Sequence, residues 1–383
     1  MKLLEYQART LMEKFGIPVK PHIVVDEIPG VAERIRNAGL AYPLVIKAQV
    51  QTGGRGKAGG VQFAEDEDGA VKLCEKMLHM DIRGFRADEL MISEKAEISR
   101  EWYLSILLDR LTKSPLLIFS PAGGVDIEET AGTNPGMIAK VPLDPLRGVA
   151  DYSISYIMDK TGADPRYRDA LRDTVQKLFR MFFDYHAMLV EINPLGLDES
   201  GRLIALDGKV EIDDNALSVL PDIVAFREKL QEDPQVIEAR KVNFHFIPME
   251  DSGTVGVMSN GSGMLMSCID LISKKGMKVH AALDLGGGAT ADRIAEAIRI
   301  MFKRPRIDTV FICIFGGITR CDEAARGACT AMAGTAGKRL ILRMEGTNKE
   351  EAVRIIAGSG LPIVSAGDIP EAVEAICRGG REE

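Results

Sequence analysis

The chain has 383 residues, 46% of them hydrophobic and 27% charged, a globular balance with room for two or three domains. Its net charge is −8 with acids and bases interspersed, which argues against a sequence-independent nucleic-acid binder with a basic face. No apolar run approaches the roughly 18 residues of a membrane span. Near the start, Ala8, Leu11, Met12 and Phe15 recur at i, i+3, i+4 and i+7, so one helical face is expected there, with Gly16 and Pro18 ending it.

The apolar run Pro43-Leu-Val-Ile46 predicts a short buried strand. Lys47–Gly60 follows it and holds five glycines, three cations and no acid. Glycine lets backbone N–H groups approach a ligand closely. Such groups beside lysine and arginine suit polyphosphate oxygens. The same composition also fits a mobile surface hairpin. The segment matches neither Gly-x-x-x-x-Gly-Lys-[Ser/Thr] nor Gly-x-Gly-x-x-Gly, so the two best-known phosphate-loop mechanisms do not apply.

Glu94 and Glu101 flank a predicted strand, Trp102-Tyr-Leu-Ser-Ile-Leu-Leu108, where carboxylates would face ribose hydroxyls or a base amine if a nucleotide bound nearby. Leu171, Val175, Leu178, Phe179 and Phe182 mark a helix over about 169–185. Two runs, Ala187–Leu195 and Arg202–Val210, then pair around the turn Asp198-Glu-Ser-Gly201. Glu191 and Asn193 are two apart, so they share one face, and the hairpin brings Asp207 alongside. Asn193 and Asp207 offer hard oxygen donors to a Mg²⁺ that also holds phosphates; a strand end and a turn would explain them equally well.

The charged stretch Glu228–Lys241 predicts a domain boundary near residue 238, giving domains 1–238 and 239–383. Beyond it strands are expected at 254–259, 278–285, 308–315, 339–345 and 362–366. Helices are expected at 263–275, 290–303, 321–336, 348–358 and 369–378. That alternation predicts a parallel, doubly wound sheet, with ligands where strands end and helices begin. The loops there are Asn260-Gly-Ser-Gly263, Gly286-Gly-Gly288, Gly316-Gly-Ile-Thr319 and Glu345-Gly-Thr-Asn348. Together they favour an anion or carboxylate site.

The cysteines lack Cys-x-x-Cys spacing and read as reduced, packed thiols. The histidines lack metal-ligand spacing. The opening residues lack the features of a signal or transit peptide, so a cytoplasmic protein is expected.

Leu4-Glu-Tyr-Gln7, Lys47–Gly60, Gly123-Gly-Val-Asp-Ile-Glu-Glu129, Glu191-Ile-Asn-Pro-Leu195 and Leu206-Asp-Gly-Lys209 occur in order, followed by Asn260–Gly263, Leu283–Gly288, Phe315–Ile318 and Glu345–Asn348. Over essentially the whole chain they resemble the succinyl-CoA synthetase β-subunit family. The resemblance implies α/β and α+β architecture: an ATP-grasp domain followed by a flavodoxin-like domain. It implies an α-subunit partner that binds CoA and carries a phosphorylated histidine, as αβ or (αβ)₂. It also implies that a carboxylate, CoA and ATP or GTP give acyl-CoA, nucleoside diphosphate and phosphate, with Mg²⁺ as cofactor.

Mapped by motif, Lys47, Gly54, Arg55 and Gly56 would hold phosphates, and Glu94 and Glu101 would contact the nucleotide. Asn193 and Asp207 would bind Mg²⁺, and Glu191 would orient the partner's histidine. Asn260, Gly317, Ile318 and Thr319 would bind the acid's carboxylate. No histidine of this chain lies in a matching nucleophile motif, so the chain alone is not expected to complete the reaction.

Four positions depart from the family pattern. Thr319 replaces an aliphatic residue, and Ala281-Ala282 replaces Asn-Phe; near the acid site they would admit malate or citrate in place of the default, succinate. Lys20, where the family screens the base, leaves ATP versus GTP open. A non-catalytic nucleotide-sensing subunit is the alternative from a different class. An ATP-grasp carboxylate–amine ligase fits the glycine-turned second domain poorly.

Overall fold

The computed structural model describes residues 1–124 and 127–379; Val125 and Asp126 of the motif Gly123–Glu129 lie outside the described residues. The chain divides into two compact units, Met1–Gln231 and Glu232–Glu383. The expected boundary near 238 falls inside the helix Pro234–Lys241, which belongs to the second unit. That helix has few large apolar residues, but Asp233 caps it and Ala239 is buried beneath it.

In the first unit a four-stranded antiparallel sheet runs in the order His22–Val25, Leu90–Glu94, Leu44–Ala48, Val61–Ala64. Leu44–Ala48 is buried at every position, so the strand predicted from Pro43–Ile46 runs on through Lys47. Val31 and Ile35, with Ala70, Cys74 and Met77 from a second helix, complete that core.

The unit also holds the short pair Asp81–Ile82 and Phe85–Arg86 and a six-stranded antiparallel sheet. At its centre Ala187–Leu197 pairs with Arg100–Asp109 on one side and with Leu203–Ala205 and Gly208–Ile212 on the other. The return run is therefore two short strands rather than the one expected, and the break falls at Leu206-Asp207. The helix Arg168–Asp184 buries Leu171, Val175, Leu178 and Phe182, the stripe its period predicts. Trp102 is buried on the same core, edge-on to Phe119 at 5.4 Å. The first helix, Glu5–Lys14, packs Ala8, Leu11 and Met12 into this core, and Gly16 follows at φ +72°.

The second unit holds five parallel strands ordered Val279–Asp284, Val255–Ser259, Thr309–Gly316, Arg339–Gly346, Ile363–Ala366. In chain order this is 2-1-3-4-5, the flavodoxin-like winding. The edge strand His245–Pro248, absent from the expectation, pairs antiparallel with Val279–Asp284. The helix expected over 321–336 ends at Met332, shortly before Gly334. Apolar residues pack on both faces, which explains the near-continuous hydrophobic strands. No helix among the described residues is long and apolar enough to cross a membrane.

Candidate functional site

In the first unit, cations from the glycine-rich segment converge on two carboxylates. Lys47 is buried near the end of its strand and donates from Nζ to Glu5 Oε1 and to the Leu206 carbonyl, both at 2.8 Å. Arg55 donates from Nη2 to Glu5 Oε2 at 2.7 Å and to Asp207 Oδ1 and Oδ2 at 3.1 and 2.9 Å. Its Nη1 reaches the Ala48 carbonyl at 3.2 Å. Arg9 adds a third cation, 3.0 Å from Glu5 Oε1.

Burial alone would raise the pKa of Glu5. Lys47, Arg55 and Arg9 together outweigh burial and bring it from 4.5 down to about 2. Burial likewise opposes the charge of Arg55, but Asp207 and Glu5 hold its guanidinium above the usual range. The loop folds back on Arg55, whose carbonyl accepts N–H bonds from Ala58 at 3.1 Å and Gly60 at 2.8 Å. Gly54 sits at φ +73°, with the Arg83 guanidinium against it, and Gly56 is exposed, its carbonyl accepting from Gly59 N–H at 3.2 Å.

Asn193 and Asp207 lie side by side. The Asn193–Pro194 peptide is cis, and the register of Ala187–Leu197 shifts between Ile192 and Leu195. Opposite this irregularity the Asn193 N–H donates to the Asp207 carbonyl, and the Leu206 N–H to the Pro194 carbonyl, each at 3.1 Å. Asn193 Oδ1 accepts from the Gly124 N–H at 2.8 Å. The pair presents an amide oxygen and a carboxylate, both hard donors. No group of three or more His, Cys, Asp or Glu that could hold a metal occurs among the described residues. Two donors alone form an open shell, which suits a cation that keeps water and phosphate oxygens.

Glu191 accepts a hydrogen bond on Oε2 from the Tyr103 hydroxyl at 2.9 Å. Burial pushes its pKa up, with the Tyr103 bond and Lys209 acting against it. Glu94 ends its strand and accepts from the Ala41 N–H on Oε1 at 3.1 Å; Lys20 lies 3.4 Å from its Oε2. The Glu101 carbonyl accepts from the Gly123 N–H at 2.8 Å, and its carboxylate lies against Gly124 so closely that a Cβ there would overlap it. Glu101 thus shares the Gly123-Gly124 turn with Asn193.

In the second unit the loops at the strand ends are laced together. The Asn260 amide donates to the Phe315 carbonyl at 2.8 Å and accepts from the Phe315 N–H at 3.0 Å. Gly346 (φ +110°) approaches Gly316 where no side chain fits. Gly317 is exposed and Ile318 is 86% exposed. Thr319 is buried, and its hydroxyl accepts from the Gly288 N–H at 2.9 Å. Asp322 is pulled well below the usual carboxylate range, chiefly by hydrogen bonds from Arg320, and it also holds Asn348.

One expectation about the acid site requires correction. Ala281 and Ala282 are fully buried in two different hydrophobic cores, because successive strand residues face opposite sides of the sheet. Neither alanine lines the loop edge.

The sequence reading missed Glu5, Arg9 and Tyr103. A signal for the first two was present: with Ala8 and Met12 they occupy i, i+4, i+3 and i+7, so a charged pair shares the buried face of the first helix.

The ATP-grasp domain family matches residues 2–197, and the CoA-ligase family matches residues 258–376. A protein of Pyrobaculum islandicum named succinate–CoA ligase [ADP-forming] subunit beta is 38% identical, over 95% of this chain and 96% of that protein. A Bordetella petrii protein of the same name is 39% identical, over 98% of this chain and 99% of its own length. Among solved structures, ATP citrate lyase from Methanothrix soehngenii in complex with citrate and coenzyme A superposes with a TM-score of 0.76 at 17% identity, covering 100% of this chain and 99% of that chain; this likeness speaks for the fold.

Proposed function

The chain belongs to the succinate–CoA ligase β-subunit family of acid–thiol ligases, and we propose that it binds the nucleotide for an ADP-forming ligase whose acid is succinate. The observation that carries this reading is the convergence of Lys47 and Arg55 on Glu5 and Asp207, beside Asn193. It is a set of cations and hard oxygens suited to a nucleotide's phosphates.

On this reading Lys47, Arg55 and the amides around Gly54 and Gly56 hold the phosphate chain. Glu94 and Glu101 contact the ribose or base. Asn193 and Asp207 would hold Mg²⁺, which neutralises phosphate charge when bound. Arg55 leaves Asp207 as phosphate enters, exchanging one anion for another.

A β subunit implies an α partner, and phosphoryl transfer needs a nucleophile that no histidine motif of this chain supplies. The partner's histidine fills that role. Glu191 accepts the N–H on the far side of its ring, fixing the tautomer whose other nitrogen attacks phosphorus. Asn260 and Gly317–Thr319 bind the acid's carboxylate through backbone and amide groups.

The burial of Ala281 and Ala282 away from the loop edge favours succinate over malate or citrate. The test is ADP release by the chain with its α partner, CoA and Mg²⁺ against a panel of the three acids. Succinate-dependent release is expected. Turnover with malate or citrate only would move the substrate, and nucleotide binding without turnover on any acid would favour a sensing subunit.

A further inference from the structure

We propose that Tyr103 is a positioning residue for phosphoryl transfer: its hydroxyl pins one oxygen of Glu191 and leaves the other to face the partner's histidine. The inference rests on the reading that Glu191 orients that histidine.

Residues alternate across the strand Arg100–Asp109. Trp102, Leu104 and Ile106 enter the large core of the first unit, while Tyr103 points the other way. There its ring packs with Ile118 and Ile138 in a small apolar cluster, with Leu107, Leu116 and Ile127 around it. The residue is 3% exposed. An aromatic ring has only two side-chain torsions, so packing on this scale fixes where its hydroxyl lies. The hydroxyl is 2.9 Å from Glu191 Oε2, on the neighbouring strand.

Other groups act on Glu191 from each side. Lys209 is its register partner on Gly208–Ile212, Asp207 precedes that strand, and Glu128 approaches from the helix Ile127–Thr133. Ser105, its register partner on the Tyr103 strand, is fully buried. Among these neighbours Lys209 attracts the carboxylate without fixing its rotation, whereas the Tyr103 bond is directional. Burial, then the nearby Glu191 charge, raises the Tyr103 pKa, so the phenol stays protonated and donates. A carboxylate held in this way accepts an imidazole N–H on its second oxygen without losing the first bond.

Tyr103→Phe keeps the ring in its apolar cluster and removes only the hydroxyl. In the complex with the α partner, the rate of phosphoryl transfer from ATP to the partner should fall about tenfold, the effect of one lost bond to a charged group. ATP affinity and the KM for the acid should be unchanged. Glu191→Gln, measured in parallel, should abolish most of the transfer.

If Glu191→Gln transfers at the wild-type rate, the Glu191 reading fails, and the Tyr103 role falls with it. If Glu191→Gln is defective while Tyr103→Phe matches wild type in transfer rate, only the Tyr103 role is overturned. An equal loss of ATP affinity and transfer in Tyr103→Phe would mark a structural effect and also overturn it.

Discussion

Arg55 bridges Glu5 and Asp207 through a single nitrogen, Nη2, 2.7 Å from one carboxylate and 2.9 Å from the nearer oxygen of the other. A residue of the glycine-rich loop is thereby tied to the first helix and to the Asp207 break opposite Asn193. Arg55→Lys keeps the charge but loses the planar fork. ATP affinity, measured by titration calorimetry, should fall about tenfold, the equivalent of one charge-assisted hydrogen bond. Unchanged affinity would show that Arg55 only braces the loop.

Glu5 is the hub of three cations and is almost inaccessible, so its removal leaves buried positive charge unpaired. Glu5→Gln should destabilise the first unit by roughly 3 kcal/mol, the lower end for breaking a buried ion pair. Trp102, the chain's single tryptophan, lies in the core of that unit and reports its unfolding by fluorescence in urea. A change under about 0.5 kcal/mol, the scatter of a surface substitution, would remove Glu5 from its central role.

The same residue sets an acid response. Its folded pKa, about 2, lies below its ordinary 4.5. A depressed carboxylate stabilises the fold at pH values above 4.5, and that contribution fades as pH falls toward 2. The wild-type urea midpoint should therefore drop more steeply than that of Glu5→Gln between pH 4.5 and 2. Parallel curves would show that other carboxylates dominate acid unfolding.

Thr319 gives a prediction about specificity. Thr319→Val removes the acceptor of the Gly288 N–H, at a cost of roughly 1–3 kcal/mol if that N–H stays unpaired. The KM for the acid should rise several-fold as the two loops loosen, and Thr319→Ser should restore it. The ratio of kcat/KM for succinate to that for malate should stay constant. A changed ratio would mean that the hydroxyl reads the substrate directly.

Much of the second unit is legible in the sequence because β-branched strands alternate with amphipathic helices between glycine turns. The observed strands Val255–Ser259 and Val279–Asp284 lie within a residue of their expected ends. His245–Pro248 and Pro234–Lys241 were missed because the strand is a short edge and the helix is largely charged, so neither carries a clear apolar period.

In the first unit the hairpin that joins Asn193 to Asp207 could be read from its turn, but its break at Leu206-Asp207 could not. At that break the backbone of Leu206-Asp207 pairs with Asn193-Pro194, a tertiary pairing that no local pattern records. Lys47 and Arg55 stood out by composition. Glu5 did not, because its meaning comes from cations 42 and 50 residues away that only the fold assembles. Ala281 and Ala282 were misplaced for the converse reason: nearness in sequence to a site loop does not show which way a strand residue faces.

The central claim is that this chain supplies the nucleotide half of a ligase and borrows its nucleophile. The most direct measurement is to incubate it with γ-phosphate-labelled ATP and Mg²⁺, with and without the α partner, and to follow acid-labile label and CoA-ester formation. Label on the partner, with none on this chain and acyl-CoA only when both are present with succinate, is the expected result. Acyl-CoA made by this chain alone, or label carried on one of its own histidines, would contradict it.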